Sequence, residues 1–186
     1  MSSMVTRSAA ALACETRIFN VLSQYEIPFK NYPHAPVLTC EQLEKALQAS
    51  ELTAPVAKNL FLKDNKGRYW LIAALEHTKV DLKTVVNTLK AAGYALNNLR
   101  FPKEEDLEAC LGISRGAVTP FALINDTGKK VFPLIDEGIL NNKEICCHPL
   151  HNEATTVIAS QDLVKFFKNL GREFLLMKKG DLGPTE

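Results

Sequence analysis

The chain has 186 residues, 46% hydrophobic and 23% charged, with a formal net charge of +1. That length suits one domain able to bury a sizeable core, and the near-neutral balance excludes the broad basic field of a general nucleic-acid binder. An RNA partner would therefore be met locally or with the help of another protein. No apolar run approaches the roughly 18 residues of a membrane span. Met1 to Ala13 carries one Arg and an Ala-rich patch without a long apolar core, so no signal peptide is expected. The five cysteines (Cys14, Cys40, Cys110, Cys146, Cys147) are odd in number and irregularly spaced, which points to free thiols in a reducing compartment.

In chain order, the first helix is expected over about Ser8 to Tyr25, with Leu12, Ile18, Phe19 and Leu22 as its apolar stripe. Pro28, Pro33 and Pro36 break the next stretch, leaving Phe29 to Tyr32 for a short strand. Thr39 with Gln42 three residues on forms a capping box for a helix through Ala49. Val56 to Leu62 reads as a strand, Asp64-Asn65-Lys66-Gly67 as a turn, and Tyr69 to Leu75 as the returning strand of a hairpin.

Asp81 caps a helix in which Leu82, Val85, Val86 and Leu89 keep helical spacing, closed by Gly93. A short strand near Leu99 leads to Pro102 and a helix whose first turn holds Glu104, Glu105 and Asp106, ending at Gly112. Phe121 to Ile124, the turn Asn125-Asp126-Thr127-Gly128 and Val131 to Ile135 suggest a second hairpin. Ile145 to Cys147 and Thr155 to Ala159 read as strands. Ser160 is placed as the cap of a last helix with Leu163, Phe166, Phe167 and Leu170 on one face. Arg172 to Met177 is a final strand, and Asp181 to Glu186 a linker or frayed end. Hairpins mixed with helices argue for an α+β or mixed α/β domain, not a doubly wound parallel sheet.

Lys58 is the residue that most demands an explanation. Alternation along a strand places it on the face of Val56, Leu60 and Leu62, the face expected to be buried. A lysine is almost never fully buried without a partner. Two readings stand: the ammonium sits near the strand end and snorkels to water, or it reaches a pocket where something anionic or electron-rich meets it.

Gly116-Ala117-Val118-Thr119-Pro120 is a rigid loop that can present backbone groups to a small ligand, and an ordinary loop would look the same. Cys146-Cys147-His148 invites a thiol nucleophile with its base, or part of a zinc site. Adjacent strand residues point to opposite faces, however, so Cys147 and His148 cannot easily touch. Cys146, His148 and His151 supply three ligands at best, so small core cysteines are the favoured reading. Pro149 ends the strand, which places His148 at a sheet rim. His34 and His77 are expected in solvated loops, and Asp126 in turn chemistry.

Lys58-Asn59-Leu60-Phe61-Leu62-Lys63-Asp64, Gly116 through Asp126, His148-Pro149-Leu150-His151-Asn152 and Ala154-Thr155-Thr156 occur together and in that order. In this the chain resembles the YbaK/ProX type of aminoacyl-tRNA deacylases, and more nearly the ProX branch, the prolyl-tRNA-synthetase-associated editing domain. The resemblance covers about Pro28 to Leu176. It implies a single domain (28–178) with a mixed, largely antiparallel, barrel-like sheet flanked by helices, an N-terminal helix (1–27) packed on it, and a C-terminal tail (179–186).

It also implies hydrolysis of mischarged tRNA(Pro), most of all Ala-tRNA(Pro), with Cys-tRNA(Pro) as the alternative of the YbaK branch. Lys58 would be the catalytic lysine. Asn59, the loop Gly116, Ala117, Val118, Thr119 and Pro120, and His148 would bind the substrate. No metal or other cofactor is implied. The implied partners are the aminoacylated 3′ end of tRNA(Pro) and prolyl-tRNA synthetase in cis or in trans, with no membrane and no DNA, in the cytoplasm. Two departures stand out: Cys146-Cys147 replaces bulky apolar residues, and Glu153 stands where a Thr is usual. The competing classes are a binding module without catalysis and a thiol enzyme using Cys146 or Cys147.

Overall fold

The computed structural model describes residues 7–47 and 52–183, without the side chains of residues 40 and 44. Its centre is a hairpin of β2 (Ala57–Asp64) and β3 (Tyr69–Leu75), paired from Ala57↔Leu75 to Lys63↔Tyr69. The turn closes because Asp64, only 1% exposed, accepts bonds from the Lys66 and Arg68 N–H groups, the Arg68 guanidinium and the Trp70 indole. Desolvation alone would raise this carboxyl; the donors outweigh it and hold it below its ordinary value.

The hairpin extends into a five-stranded sheet of order β4-β2-β3-β5-β8, with β4 (Leu99–Arg100), β5 (Val131–Asp136) and β8 (Leu175–Met177). The β5 and β8 pairings are parallel, and the other two in this sheet are antiparallel. A second, wholly antiparallel sheet has the order β1-β7-β6, from β1 (Phe29–Pro33), β7 (Ala154–Ala159) and β6 (Glu144–Cys147). The sheets meet through a bridge between Val56 and Cys146. The fold is thus a mixed α/β single domain with largely antiparallel pairing, its two sheets joined at one corner rather than closed into a barrel.

Strand alternation divides the core. Phe61, Leu71, Ala73 and Ile135 face a cluster with Ile18 and Leu22 of α1 (Ala9–Gln24), Phe121, and Phe166 and Phe167 of α6 (Ser160–Asn169). Leu62, Trp70, Ile72 and Leu134 face the other way, onto Val85, Val86 and Leu89 of α3 (Leu82–Ala91). Each of the Val, Leu, Ile and Phe side chains among them, taken fully from water, contributes about 1.5–3 kcal/mol. The capping box is present: the Gln42 N–H donates to Thr39 Oγ1 at 3.2 Å and Gln42 Oε1 accepts from Thr39 N at 3.3 Å, opening α2 (Cys40–Leu47). Ala49 lies outside the described residues. Helix α4 (Glu104–Leu111) is fastened to the hairpin by Asp106, which takes the Lys63 ammonium at 3.1 Å and the Tyr69 hydroxyl at 2.5 Å.

Several expectations are corrected. Phe121 to Ile124 is not a strand: Pro120–Ile124 is a 3-10 helix, and β5 pairs in parallel with β3, so there is no second hairpin. A short apolar run does not distinguish strand from helix. Pro120 has no N–H for a ladder but suits a first helical turn, and Thr119 Oγ1 accepts the Phe121 N–H. Ser160 does not cap α6 through its side chain, because Ala159 is the cap residue and Ser160 Oγ is buried without a partner among the described residues. The buried stripe of α1 is Ala11, Glu15, Ile18 and Leu22, while Leu12 is exposed. His34 is buried, not solvated; His77 is exposed as expected. The tail to Gly183 is packed: Leu182 is buried, its carbonyl accepts the Asp81 N–H at 2.7 Å, and Lys79 O stands against Gly183 where a side chain would begin.

Candidate active site

A cavity of about 620 Å³ opens beside the start of β2, within the usual range for small-molecule sites. Its lining includes Lys58, Asn59, Gly116, Val118 and His148. The remaining loop residues do not line it. Ala117, Thr119 and Pro120 are buried beneath, where Ala117 joins the core and Thr119 and Pro120 start the 3-10 helix.

Lys58 sits on the strand face expected for it, opposite Ala74. Its ammonium donates to the carbonyls of Glu76 at 2.9 Å and Thr78 at 2.5 Å. Those two bonds account for a half-buried lysine without a carboxylate, and they leave one of its three N–H groups for a ligand. The segment that carries these carbonyls is held at Thr78 and Leu75 by Asp136, whose Oδ2 accepts from the Thr78 hydroxyl at 2.6 Å and the Leu75 N–H at 3.3 Å. Asn59 donates to Ala57 O at 3.3 Å, while its Oδ1 is buried without a donor among the described residues. An unmet buried acceptor costs about 1–3 kcal/mol, so a ligand N–H or O–H has a place to bind.

Gly116 adopts φ +89, a left-handed conformation that side chains rarely take. A Cβ there would lie 3.1 Å from Leu38 Cδ2. The Gly116 and Val118 N–H groups donate to no acceptor among the described residues. A loop with unspent donors beside a cavity can polarise a carbonyl.

His148 Nδ1 lies 3.2 Å from Ala154 O. A carbonyl only accepts, so Nδ1 carries the proton and Nε2 is left as an acceptor. Desolvation pushes the ring down to about 4; the Ala154 carbonyl opposes this, and the nearby His34 and His151 add to it. The imidazole is therefore neutral at pH 7. His34 stands behind it, ring centroids 6.5 Å apart, donating from Nδ1 to Ala35 O at 2.8 Å and accepting from the Thr155 hydroxyl at 2.9 Å. His151 Nδ1 accepts the Glu153 N–H at 3.0 Å, and its Nε2 lies 3.4 Å from the Glu15 carboxylate, an ion-pair distance without hydrogen-bond geometry. Glu15 also takes Arg7 and Asn31.

The Cys146 thiol is pushed up to about 12 by burial, with the Glu144 carboxylate adding to the shift, and it donates to Ala54 O. Burial raises Cys147 further. Both are protonated at neutral pH, which is the opposite of an activated thiolate. Among the described residues no group of three or more His, Cys, Asp and Glu side chains is placed to hold a metal ion. Glu153, the unusual residue after Asn152, accepts the Ser8 N–H and hydroxyl, each at 2.7 Å, and so holds the start of α1.

Among the cavity-lining residues that the sequence reading missed are Leu38, Phe101, Lys103 and Arg115. Two signals were available: Phe101 precedes a direction-fixing Pro102, and Arg115 precedes Gly116.

The pattern of the aminoacyl-tRNA editing domain matches residues 34–166. The prolyl-tRNA editing protein ProX of Acetoanaerobium sticklandii is 34% identical over 154 residues, covering 82% of this chain and 90% of that protein. The prolyl-tRNA synthetase associated domain-containing protein 1 of Bos taurus is 32% identical over 147 residues, covering 77% and 82%. Among solved structures, one described as a candidate trans-editing enzyme for prolyl tRNA synthetase superposes with a TM-score of 0.61 at 16% identity, over 91% of this chain and 96% of its own. A scaffold carrying a computationally grafted epitope reaches 0.68 at 14% identity, over 93% and 98%. These two likenesses speak for the fold; the sequence matches speak for descent, and by them the chain belongs to the aminoacyl-tRNA editing domain family.

Proposed function

We propose that this chain hydrolyses the ester of mischarged tRNA(Pro), with Ala-tRNA(Pro) as its main substrate. The observation that carries the reading is the meeting of Lys58, Asn59, Gly116, Val118 and His148, from three separate parts of the chain, on one cavity. The aminoacyl group enters against the Gly116 loop, whose free N–H groups polarise the ester carbonyl and stabilise the oxyanion that develops. Lys58 and the Asn59 acceptor hold the ribose and amino acid, and neutral His148 offers a lone pair to a ribose hydroxyl. With both buried thiols protonated, the attacking group is water, activated by the substrate's own ribose hydroxyl.

Steric exclusion sets the amino-acid choice. A methylene in an apolar pocket discriminates by only about 1–3 kcal/mol, so a small pocket in a separate hydrolase adds selectivity that binding alone does not supply. Prolyl-tRNA synthetase, in cis or in trans, is the proposed source of the mischarged substrate.

The test is deacylation of Ala-tRNA(Pro), Cys-tRNA(Pro) and Pro-tRNA(Pro) by the wild type and Lys58→Ala. Hydrolysis of the alanyl ester by the wild type alone, with the prolyl ester spared, is the expected result. Preference for the cysteinyl ester would reassign the substrate, and hydrolysis of none would leave a binding module.

A further inference from the structure

Phe101 is the feature of this cavity that folding does not explain. It is 63% exposed, stacks on no aromatic ring among the described residues, and lines the cavity together with Leu38, itself 73% exposed. Scattered exposed apolar side chains are ordinary; two large ones on the rim of one cavity are not. The backbone on both sides of Phe101 is fixed in the fold. The two residues before it pair with Asp64 and Lys63 at the edge of the five-stranded sheet, and Pro102 and the start of α4 follow it. Lys103 and Arg115 line the same cavity, both exposed and neither in an ion pair among the described residues. Among the described residues Glu104 is the one carboxylate in the lining.

We infer that Phe101 is the stacking platform for the terminal base of the acylated RNA end, with Lys103 and Arg115 meeting the phosphate that joins that nucleotide to the one before it. This rests on the deacylase reading for the identity of the ligand. A rigid aromatic face with cations beside it is how proteins hold single-stranded nucleotides, because every base offers a π-face and the phosphates supply charge. It also explains how a chain of net charge +1 can hold an RNA: the charge is needed only at the mouth of the cavity. Phe101 is thus a positioning residue, since the ester reacts elsewhere.

The test is binding of an RNA hairpin ending in ACCA, and of the same hairpin with an abasic terminal ribose, followed by fluorescence anisotropy. Phe101→Ala is expected to weaken binding of the adenosine-ended RNA about tenfold, the effect of losing one base–aromatic stack. It should leave the abasic-ended RNA unchanged. Phe101→Trp should restore affinity, and its added fluorescence should be quenched by the adenosine-ended RNA only. Equal affinity of wild type and Phe101→Ala, an equal loss on both RNAs, or no binding by the wild type overturns the inference. Deacylation separates it from the reading it rests on. If the binding pattern holds but no ester is cleaved, the deacylase reading falls and the platform stands. If esters are cleaved with the same KM by wild type and Phe101→Ala, the platform falls and the deacylase stands.

Discussion

The Lys58 ammonium and the Thr78 carbonyl lie 2.5 Å apart across the open end of the β2–β3 hairpin. This bond makes the lysine a fixed part of the cavity wall rather than a mobile cation. Replacing it by Ala removes the charged donor that holds the ribose and amino acid, and kcat/KM for the alanyl ester is expected to fall by about 10–10²-fold, the effect of losing one hydrogen bond to a charged group worth about 1.5–3 kcal/mol. Lys58→Arg should not restore activity, because a planar guanidinium cannot take the ammonium's place between two carbonyls. Recovery of activity by Lys58→Arg would show that only the charge matters.

Asp136 holds that wall from behind. Asp136→Asn replaces a carboxylate that accepts the Thr78 hydroxyl, the Leu75 N–H and the Gly138 N–H. A charged acceptor in such a network contributes about 1.5–3 kcal/mol. A loss of stability of that order in urea, with a parallel loss of activity, is expected. A variant as stable and active as the wild type would show that the Thr78 carbonyl needs no such support.

Gly116→Ala combines an unfavourable φ with a close contact on Leu38. The expected loss of stability exceeds about 1 kcal/mol, and deacylation should fall with it. Adding Leu38→Ala removes the contact but not the backbone strain, so the double variant should recover only in part. Full recovery in urea unfolding would assign the whole effect to the contact.

His148 gives a pH dependence whose sign is set by its lowered proton affinity. Its ordinary value is 6.5 and the fold pushes it down to about 4. Between those values the unfolded chain binds the proton and the folded chain does not, so stability rises with pH through that window and is lost as pH falls. His34 is shifted in the same direction by its own burial. Urea midpoints measured at pH 7.5 and pH 5 should fall more for the wild type than for His148→Asn. Equal slopes would mean that the ring is not desolvated in solution.

Glu153→Thr removes both acceptors of Ser8 and with them the tie between the start of α1 and the loop after His148. Faster amide exchange in the first turn of α1, with β7 unchanged, is the expected result. Unchanged exchange would show that the Ser8 side-chain bond to Ala11 N suffices to hold that helix end.

The boundaries of α1, α3 and α4, the hairpin and the capping box of α2 follow from local signals, because caps, turns and period act within a few residues. Phe121 to Ile124 misled for the same reason: four apolar residues between two turns carry no period, and the choice of a 3-10 helix was made by Thr119, by Pro120 and by the parallel pairing of β5 with β3, far away in sequence. His34 looked solvated because its neighbours are prolines; only the register of Pro33 opposite Ala154 shows that it is covered.

The sequence by itself determined which family the chain belongs to and singled out segments that line the cavity, since Lys58-Asn59, the Gly116 loop and the His148 segment are written in the chain as short contiguous runs. Tertiary structure decided what those residues can do. It supplied the Glu76 and Thr78 carbonyls that fix Lys58, moved Ala117, Thr119 and Pro120 out of the cavity lining, set the charge state of His148 by burial, and placed Phe101 and Arg115 on the rim. Each of these depends on groups distant in sequence but adjacent in space, and desolvation and hydrogen bonding are properties of that adjacency.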